Sequence, residues 1–227
     1  MNNMPIITKN LLIINILIFA ATFVAEKYGI DLNNLFALHF FMADGFNPFQ
    51  LLTYMFMHAS FSHIFFNMFA LWMFGRILEF VWGPKRFLFY YLVCGIGAGI
   101  IQEVVQYVDY SMVLSHYEVV NMGNGITIPM SSYLDSIKTV GASGAVYGIL
   151  LAYGMLFPNE KMFIFPLPFP IKAKFFIAIF FVIELLQGLS VNDSVAHFAH
   201  LGGMIFGFFL ILHWKKKGHN GTYHFGA

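Results

Sequence analysis

The longest clean apolar run in the second half of the chain opens with Val140-Gly141-Ala142-Ser143-Gly144-Ala145-Val146-Tyr147-Gly148. This stretch sets a serine among small residues, at the point where we expect a membrane helix to begin. Polar residues in a bilayer face the bundle interior or water, and they mark function by default. A lone serine in a membrane helix is more often a packing residue, so Ser143 has to be interpreted together with the rest of the chain.

The composition indicates a membrane protein. Of the 227 residues, 59% are hydrophobic and only 10% are charged, whereas soluble domains carry about 25% charged residues. A net charge of +1 argues against a nucleic-acid partner, which requires a basic face. The single cysteine, Cys94, has no partner for a disulfide. Lipid is therefore the expected solvent and an expected partner.

The hydropathy pattern predicts an all-α integral membrane protein with six spanning helices, at about 20 mostly apolar residues for each crossing. The predicted helices cover about 8–25, 60–78, 86–107, 140–157, 171–187 and 194–214. Residues 1–214 are thus predicted to form one membrane domain, followed by a short tail at 215–227. The first apolar run has no small-residue cleavage site in good context, so we expect a helix there and not a signal peptide.

The basic residues predict the orientation of these helices. With the N-terminus in the cytoplasm, ten of the twelve Lys and Arg residues fall in cytoplasmic segments, and only Lys27 and Lys138 fall outside. The ten are Lys9, Arg76, Lys85, Arg86, Lys161, Lys172, Lys174, Lys215, Lys216 and Lys217. Short loops rich in Lys and Arg stay in the cytoplasm. Both termini are therefore predicted to be cytoplasmic.

Three predicted helices bring polar residues to one depth. At 1.5 Å per residue, Asn67, Ser143 and His200 each lie roughly 7–10 Å below the outer surface. His63 and Asn67 are four residues apart and share a helix face, as do Ser143 and Tyr147. A buried polar site in the outer half of the bilayer is therefore expected.

Glycine pairs predict which helices pack closely. Gly144 and Gly148 form one pair with a spacing of four, and Gly203 and Gly207 form another. Small residues at this spacing let helix backbones approach each other in lipid. A serine and a histidine on these two helices could then meet.

The expected chemistry is nucleophilic attack by Ser143 with His200 as general base. We expect no carboxylate at that depth on a helix facing the site, so a dyad is predicted, with Tyr147 packing where an aspartate would otherwise act. Asn67, His63 and the Ser143 amide could stabilise an oxyanion, because amides at a helix start lack intrahelical partners. Thr139 is the predicted N-cap of that helix.

At these residues the sequence resembles the rhomboid family of intramembrane serine proteases. The matching motifs are Gly141-Ala142-Ser143-Gly144 with Tyr147, His63 to Asn67 preceded by His58, and Ala199-His200-Leu201-Gly202-Gly203 through Gly207. The likeness covers about 49–209. Three motifs on the expected helices, in order, are far more specific than one.

The resemblance implies a rhomboid-like six-helix bundle with a Ser143/His200 dyad and an oxyanion hole formed by His63, Asn67 and the Ser143 amide. The supporting residues that it implies are Tyr147, His58, Gly141, Gly144, Gly203 and Gly207. It also implies cleavage of single-pass transmembrane substrates near the outer face, with entry beside the fifth helix and without metal or cofactor. A bacterial inner membrane is the expected location, and no pattern predicts an oligomeric state.

Four features of the sequence bear on this resemblance. Phe49-Gln50 replaces a Trp-Arg pair common in the family, which puts the anchoring of the first loop in doubt. The connection 109–138 is long and is expected to cap the site or to hold substrate. Glu184, the one acidic residue placed within a predicted span, is expected near its outer end beside a polar neighbour.

Ala196-His197 offers a second Ala-His register, but only the register with His200 puts the glycines in place. His197 is therefore expected to be a neighbour of His200 in a wet pocket.

Other functions were weighed against proteolysis. The histidines could bind a metal, but no His-Glu-x-x-His motif occurs and no carboxylate is expected at matching depth, so no metal is predicted. The main alternative is a non-catalytic rhomboid-like protein that binds transmembrane clients, although such proteins typically lack the serine or the histidine. A solute transporter would need polar residues in the cytoplasmic half as well.

Overall fold

Apolar helices make up most of the computed structural model, which describes residues 4–123, 125–163, 169–190 and 196–217. They are α1 (Ile6–Glu26), α2 (Phe61–Trp82), α3 (Pro84–Met112), α4 (Ser143–Leu156), α5 (Ala173–Ser190) and α6 (His197–Lys216). Among the described residues, all but α4 are long and apolar enough to cross a membrane. The prediction of an all-α membrane bundle is confirmed, whereas the count of six crossings stays a prediction.

The helix bounds differ from the predicted ones by a few residues. α2 continues past the predicted end at 78 to Trp82, and a turn of π-helix, Leu71–Gly75, lies within it. Gly83, with φ of +78°, ends α2, and Pro84 begins α3, as expected for glycine after a helix and proline at its first position. The predicted start of the last helix, 194–195, and most of the predicted tail, 218–227, lie outside the described residues.

Short elements fill the connections. The helical turns are Leu32–Phe36, Gln50–Thr53, Tyr54–Phe56, Leu114–His116 and Met130–Ser136. The strands are β1 (Leu38–His39), β2 (Val119–Gly123), β3 (Ile126–Pro129), β4 (Lys138–Thr139), β5 (Lys161–Met162) and β6 (Ile171–Lys172). In the described part of the chain they form three antiparallel pairs, β1 with β4, β2 with β3, and β5 with β6.

Gln50 anchors the first loop, whose attachment the sequence left in doubt. Its side chain, 3% exposed, donates to the Gly45 carbonyl at 3.0 Å and accepts from the Asn47 amide at 3.0 Å. The 109–138 connection holds the same loop from the other side, since the Gly45 amide donates to Asp135 Oδ1 at 3.1 Å. A glutamine thus ties the loop to its own backbone in place of the Trp-Arg pair.

The core lies where α3, α4 and α6 meet, and glycines let the backbones touch. A Cβ added at Gly203 would lie 1.9 Å from the Gly144 carbonyl oxygen, and one at Gly148 would lie 2.5 Å from Cys94 Sγ. A Cβ at Gly207 would lie 2.2 Å from the Tyr90 hydroxyl. The two glycine pairs found in the sequence therefore face into one closely packed helix junction.

Glu79, near the end of α2, binds the start of α1. Its carboxylate is 3% exposed and accepts from the Ile7 amide at 2.9 Å, the Thr8 amide at 2.7 Å and Thr8 Oγ1 at 2.8 Å. The first amides of a helix have no intrahelical partner, and a negative charge there is favourable. Glu79 therefore caps α1 from a neighbouring helix.

We expect Glu79→Gln to lower the free energy of unfolding by about 1–3 kcal/mol, because an amide cannot satisfy donors on both of its sides. Thermal unfolding in lipid–detergent micelles measures this. Glu26→Gln, an equal change of charge at an exposed position of the same helix α1, is the matched control. Equal stability of the two variants would contradict the capping role.

We expect Gly203→Ala to destabilise the bundle more than Gly99→Ala. The Gly203 methyl would meet a backbone oxygen at 1.9 Å, whereas at Gly99 the nearest atoms are side-chain atoms of Leu38, Leu51 and Tyr54, at 3.2 Å. Overpacking a tight core costs typically about 1–3 kcal/mol. The same unfolding assay distinguishes the two variants, and wild-type stability of Gly203→Ala would refute the close junction.

Candidate active site

The backbone reaches Ser143 in a constrained conformation. Gly141 has φ of +125°, a region that side-chain-bearing residues rarely adopt, and its amide donates to the Tyr54 carbonyl at 2.9 Å. α4 therefore starts at Ser143 and not at the predicted 140. The predicted N-cap at Thr139 is wrong, because Thr139 lies in β4 and the residue before the helix is Ala142, without a side-chain cap.

Ser143 is consequently the first residue of α4, and it is half-buried. Amides in the first turn of a helix point away from it without an intrahelical acceptor, and this helix end carries partial positive charge. The serine oxygen and its own amide thus lie together at a place suited to a negative oxygen.

His200, buried on α6, faces this serine. Its Nε2 lies 2.8 Å from Ser143 Oγ, a normal hydrogen-bond distance. The glycine junction between Gly144 and Gly203 lies beside this pair and sets the helix separation that allows it. Of the two Ala-His registers in the sequence, the structure brings the one with His200 to the serine.

Tyr147 stacks on the His200 ring. The ring centroids are 4.3 Å apart and the planes differ by 5°. The sequence predicted this packing from the spacing of Ser143 and Tyr147. The tyrosine hydroxyl does more than the prediction stated, because it donates to Glu184 Oε1.

Glu184 corrects the prediction that no carboxylate faces the site. It lies on α5, 5% exposed, and its Oε2 is 2.9 Å from His200 Nδ1 and 2.7 Å from His197 Nδ1. The serine and the carboxylate therefore lie on opposite nitrogens of one imidazole. The prediction from the sequence that the site has no carboxylate at its depth is therefore wrong.

His197 was expected as a neighbour of His200 in a wet pocket, and the structure places it beside His200 but buried. Its side chain is 6% exposed and it contacts the same carboxylate oxygen as His200. The two rings are nearly perpendicular, with centroids 6.2 Å apart. His197 is therefore part of the buried hydrogen-bond network.

His63 and Asn67 lie on the α2 side of the serine. His63 Nε2 is 2.6 Å from the position that a Gly141 Cβ would occupy, so its ring covers the backbone just before Ser143. The Asn67 amide nitrogen donates to the His63 carbonyl at 3.0 Å, within its own helix. The structure thus brings His63 next to the serine segment, with Asn67 one turn below it.

His58 packs edge-on against His63, with ring centroids 5.1 Å apart. It precedes α2, and burial of its ring, together with the neighbouring His63, lowers the pKa of His58 to about 4. The ring is therefore neutral at pH 7 and supports His63 without adding charge.

Comparison with known proteins identifies the family. The family model for the rhomboid domain matches residues 46–216. The chain belongs to the rhomboid family. Rhomboid protease GluP of Bacillus subtilis is 32% identical over 70% of this chain and 25% of that protein. Putative rhomboid protease YdcA of the same organism is 31% identical over 71% of this chain and 64% of its own length. Rhomboid protease AarA of Providencia stuartii is 28% identical over 67% of this chain and 51% of its own length. The chain thus spans less than two thirds of the length of each of these relatives.

Membership of the rhomboid family and the long apolar helices make this an integral, multi-pass membrane protein. The site lies where the rhomboid motifs of the sequence meet, on α2, α4 and α6. Sequence reasoning expected Glu184, on α5, beside a polar neighbour, but it missed the contact of this carboxylate with His200. An ionisable residue inside a membrane helix is itself a signal of function, and that signal was available.

The same network could hold a metal ion. One donor atom from each of Glu184, His197 and His200 lies within 4.8 Å of the others, and two histidines with a carboxylate form a common zinc donor set. The Nδ1 atoms of both histidines already contact the carboxylate, so an ion would have to replace these hydrogen bonds.

We expect Gly141→Ala to destabilise the protein for two separable reasons. The alanine would hold a strained backbone, at a cost of about 1–3 kcal/mol, and its methyl would overlap the His63 ring. Thermal unfolding of Gly141→Ala, His63→Ala and the double variant separates the two effects. The double variant should recover part of the loss, and strictly additive effects would contradict the contact with His63.

Proposed function

We propose that this chain is an intramembrane serine endopeptidase that hydrolyses peptide bonds of single-pass transmembrane substrates. The observation that carries the proposal is the 2.8 Å distance between Ser143 Oγ and His200 Nε2 on two apolar helices. Its membership of the rhomboid family, with relatives named rhomboid proteases, supports the same function.

In the first half of the reaction, His200 Nε2 takes the Ser143 hydroxyl proton as the serine oxygen attacks the scissile carbonyl carbon. The carbonyl oxygen becomes an oxyanion in a tetrahedral intermediate. When the peptide C–N bond breaks, His200 returns the proton to the leaving amine, and the acyl group stays on Ser143. Water, activated by His200 in the same way, then releases the carboxylic acid and restores the serine.

The oxyanion is proposed to bind at the start of α4. The Ser143 amide, the His63 imidazole and the Asn67 side-chain amide are the proposed donors, and such preorganised donors stabilise developing charge most where water is excluded. The neighbouring rings of His58 and His63 keep the latter beside Gly141. The scheme needs no metal and no cofactor.

The proposed orientation follows the basic residues. They place both termini in the cytoplasm and Ser143 near the outer face. A bacterial inner membrane is proposed from the likeness to bacterial proteins. Substrates are proposed to enter beside α5, whose buried residues are Ala173, Ile177 and Glu184. On this helix Phe175 faces outward, while Phe180 packs towards Tyr147, with ring centroids 6.4 Å apart.

The test is reconstitution in lipid bilayers with a fluorophosphonate probe and a transmembrane model substrate. Wild type should be labelled and should cleave, whereas Ser143→Ala should do neither and His200→Ala should lose most of both. Ser111→Ala, an exposed serine at the end of α3, is the matched control and should behave as wild type.

A folded wild type that neither labels nor cleaves would overturn the proposal. Binding of transmembrane segments by such a protein, equal in wild type and Ser143→Ala, would favour the client-binding alternative. Cleavage that survives Ser143→Ala would show that another group is the nucleophile.

A further inference from the structure

We infer that Glu184 is the positioning residue for His200, so that the site operates as a Ser–His–Glu triad instead of a dyad. This inference rests on the proposed function. Three contacts on one carboxylate carry it, from His200 Nδ1, His197 Nδ1 and the Tyr147 hydroxyl. Glu184 holds the base in place and does not touch substrate.

The contacts define the proton positions on His200. An ionised carboxylate can only accept hydrogen bonds, so the Nδ1 atom that faces Glu184 Oε2 must carry the hydrogen. The Nε2 of a neutral ring is then an acceptor, and it lies 2.8 Å from Ser143 Oγ. This is the tautomer that a general base needs, and the opposite tautomer would leave the serine proton without an acceptor.

The carboxylate is itself held from several sides. Tyr147 donates to Oε1 and stacks on the imidazole, while His197 donates to the oxygen that His200 also uses. Glu184 therefore has little freedom to turn away. Three helices, α4, α5 and α6, contribute to this network.

Burying a glutamate at this position costs free energy, and packing alone does not explain why the residue is there. α5 leaves most of its side chains exposed to lipid, and Glu184 is one of its three buried residues. A buried carboxylate is expensive unless it is paired. When His200 takes the serine proton it becomes positively charged, and the adjacent carboxylate stabilises that charge.

The test compares Glu184→Gln and Glu184→Asp with wild type, using kcat, KM and the rate of fluorophosphonate labelling. Glu184→Gln should lower kcat by up to about 10⁴-fold, the loss seen when a triad carboxylate is replaced by its amide, and leave KM unchanged. Glu184→Asp keeps the charge and should recover part of the loss. Glu103→Gln, the same change at a buried glutamate on α3 that binds the Phe41 amide at 2.7 Å, should keep wild-type kinetics.

Wild-type kcat in a folded Glu184→Gln variant would overturn the inference, as would a loss that follows the folded fraction alone. Loss of wild-type activity on chelation, restored by zinc, would overturn it in favour of a metal site. If the variants fail to fold, nitrogen-15 NMR of histidine-labelled wild type decides, since His200 must carry its hydrogen on Nδ1. Failure of the proposed function looks different, because wild type itself would then lack Ser143 labelling.

Discussion

The approach of α4 to α6 through glycine is the constraint on which the site depends. The Gly144 carbonyl lies where a methyl group on Gly203 would have to be, and no larger residue fits at that contact. Only at this separation can a short side chain such as Ser143 reach His200 at 2.8 Å. In lipid no hydrophobic force drives helices together, so this small-residue packing must define the geometry.

A second constraint is the late start of α4. Gly141, at a positive φ, interrupts the helical backbone just before Ala142, the residue that precedes the helix. The helix therefore begins at the serine and presents its unpaired amide end there. At 14 residues and 1.5 Å each, α4 is about 21 Å long, shorter than a bilayer core of about 30 Å.

Much of the fold could be predicted from the sequence, because lipid requires long apolar helices and these have a plain signature. The meeting of Ser143, His200 and Tyr147 also followed from spacing and depth. Thr139 was wrongly assigned as a cap because a glycine with positive φ leaves no mark that distinguishes it from the neighbouring glycines. Gln50 could not be recognised as an anchor, since its acceptors are backbone groups brought near only by the fold.

The contact of Glu184 with His200 was missed for a different reason. Depth was compared only among the helices that carry motifs, and α5 carries none. Three residues from its predicted outer end at 187, Glu184 lies at a depth close to that of the histidines.

The most direct test of the central claim is mass-spectrometric mapping of the fluorophosphonate adduct on wild type in lipid. The structure predicts an adduct on Ser143 alone; an adduct on another serine, or none on folded protein, would contradict it.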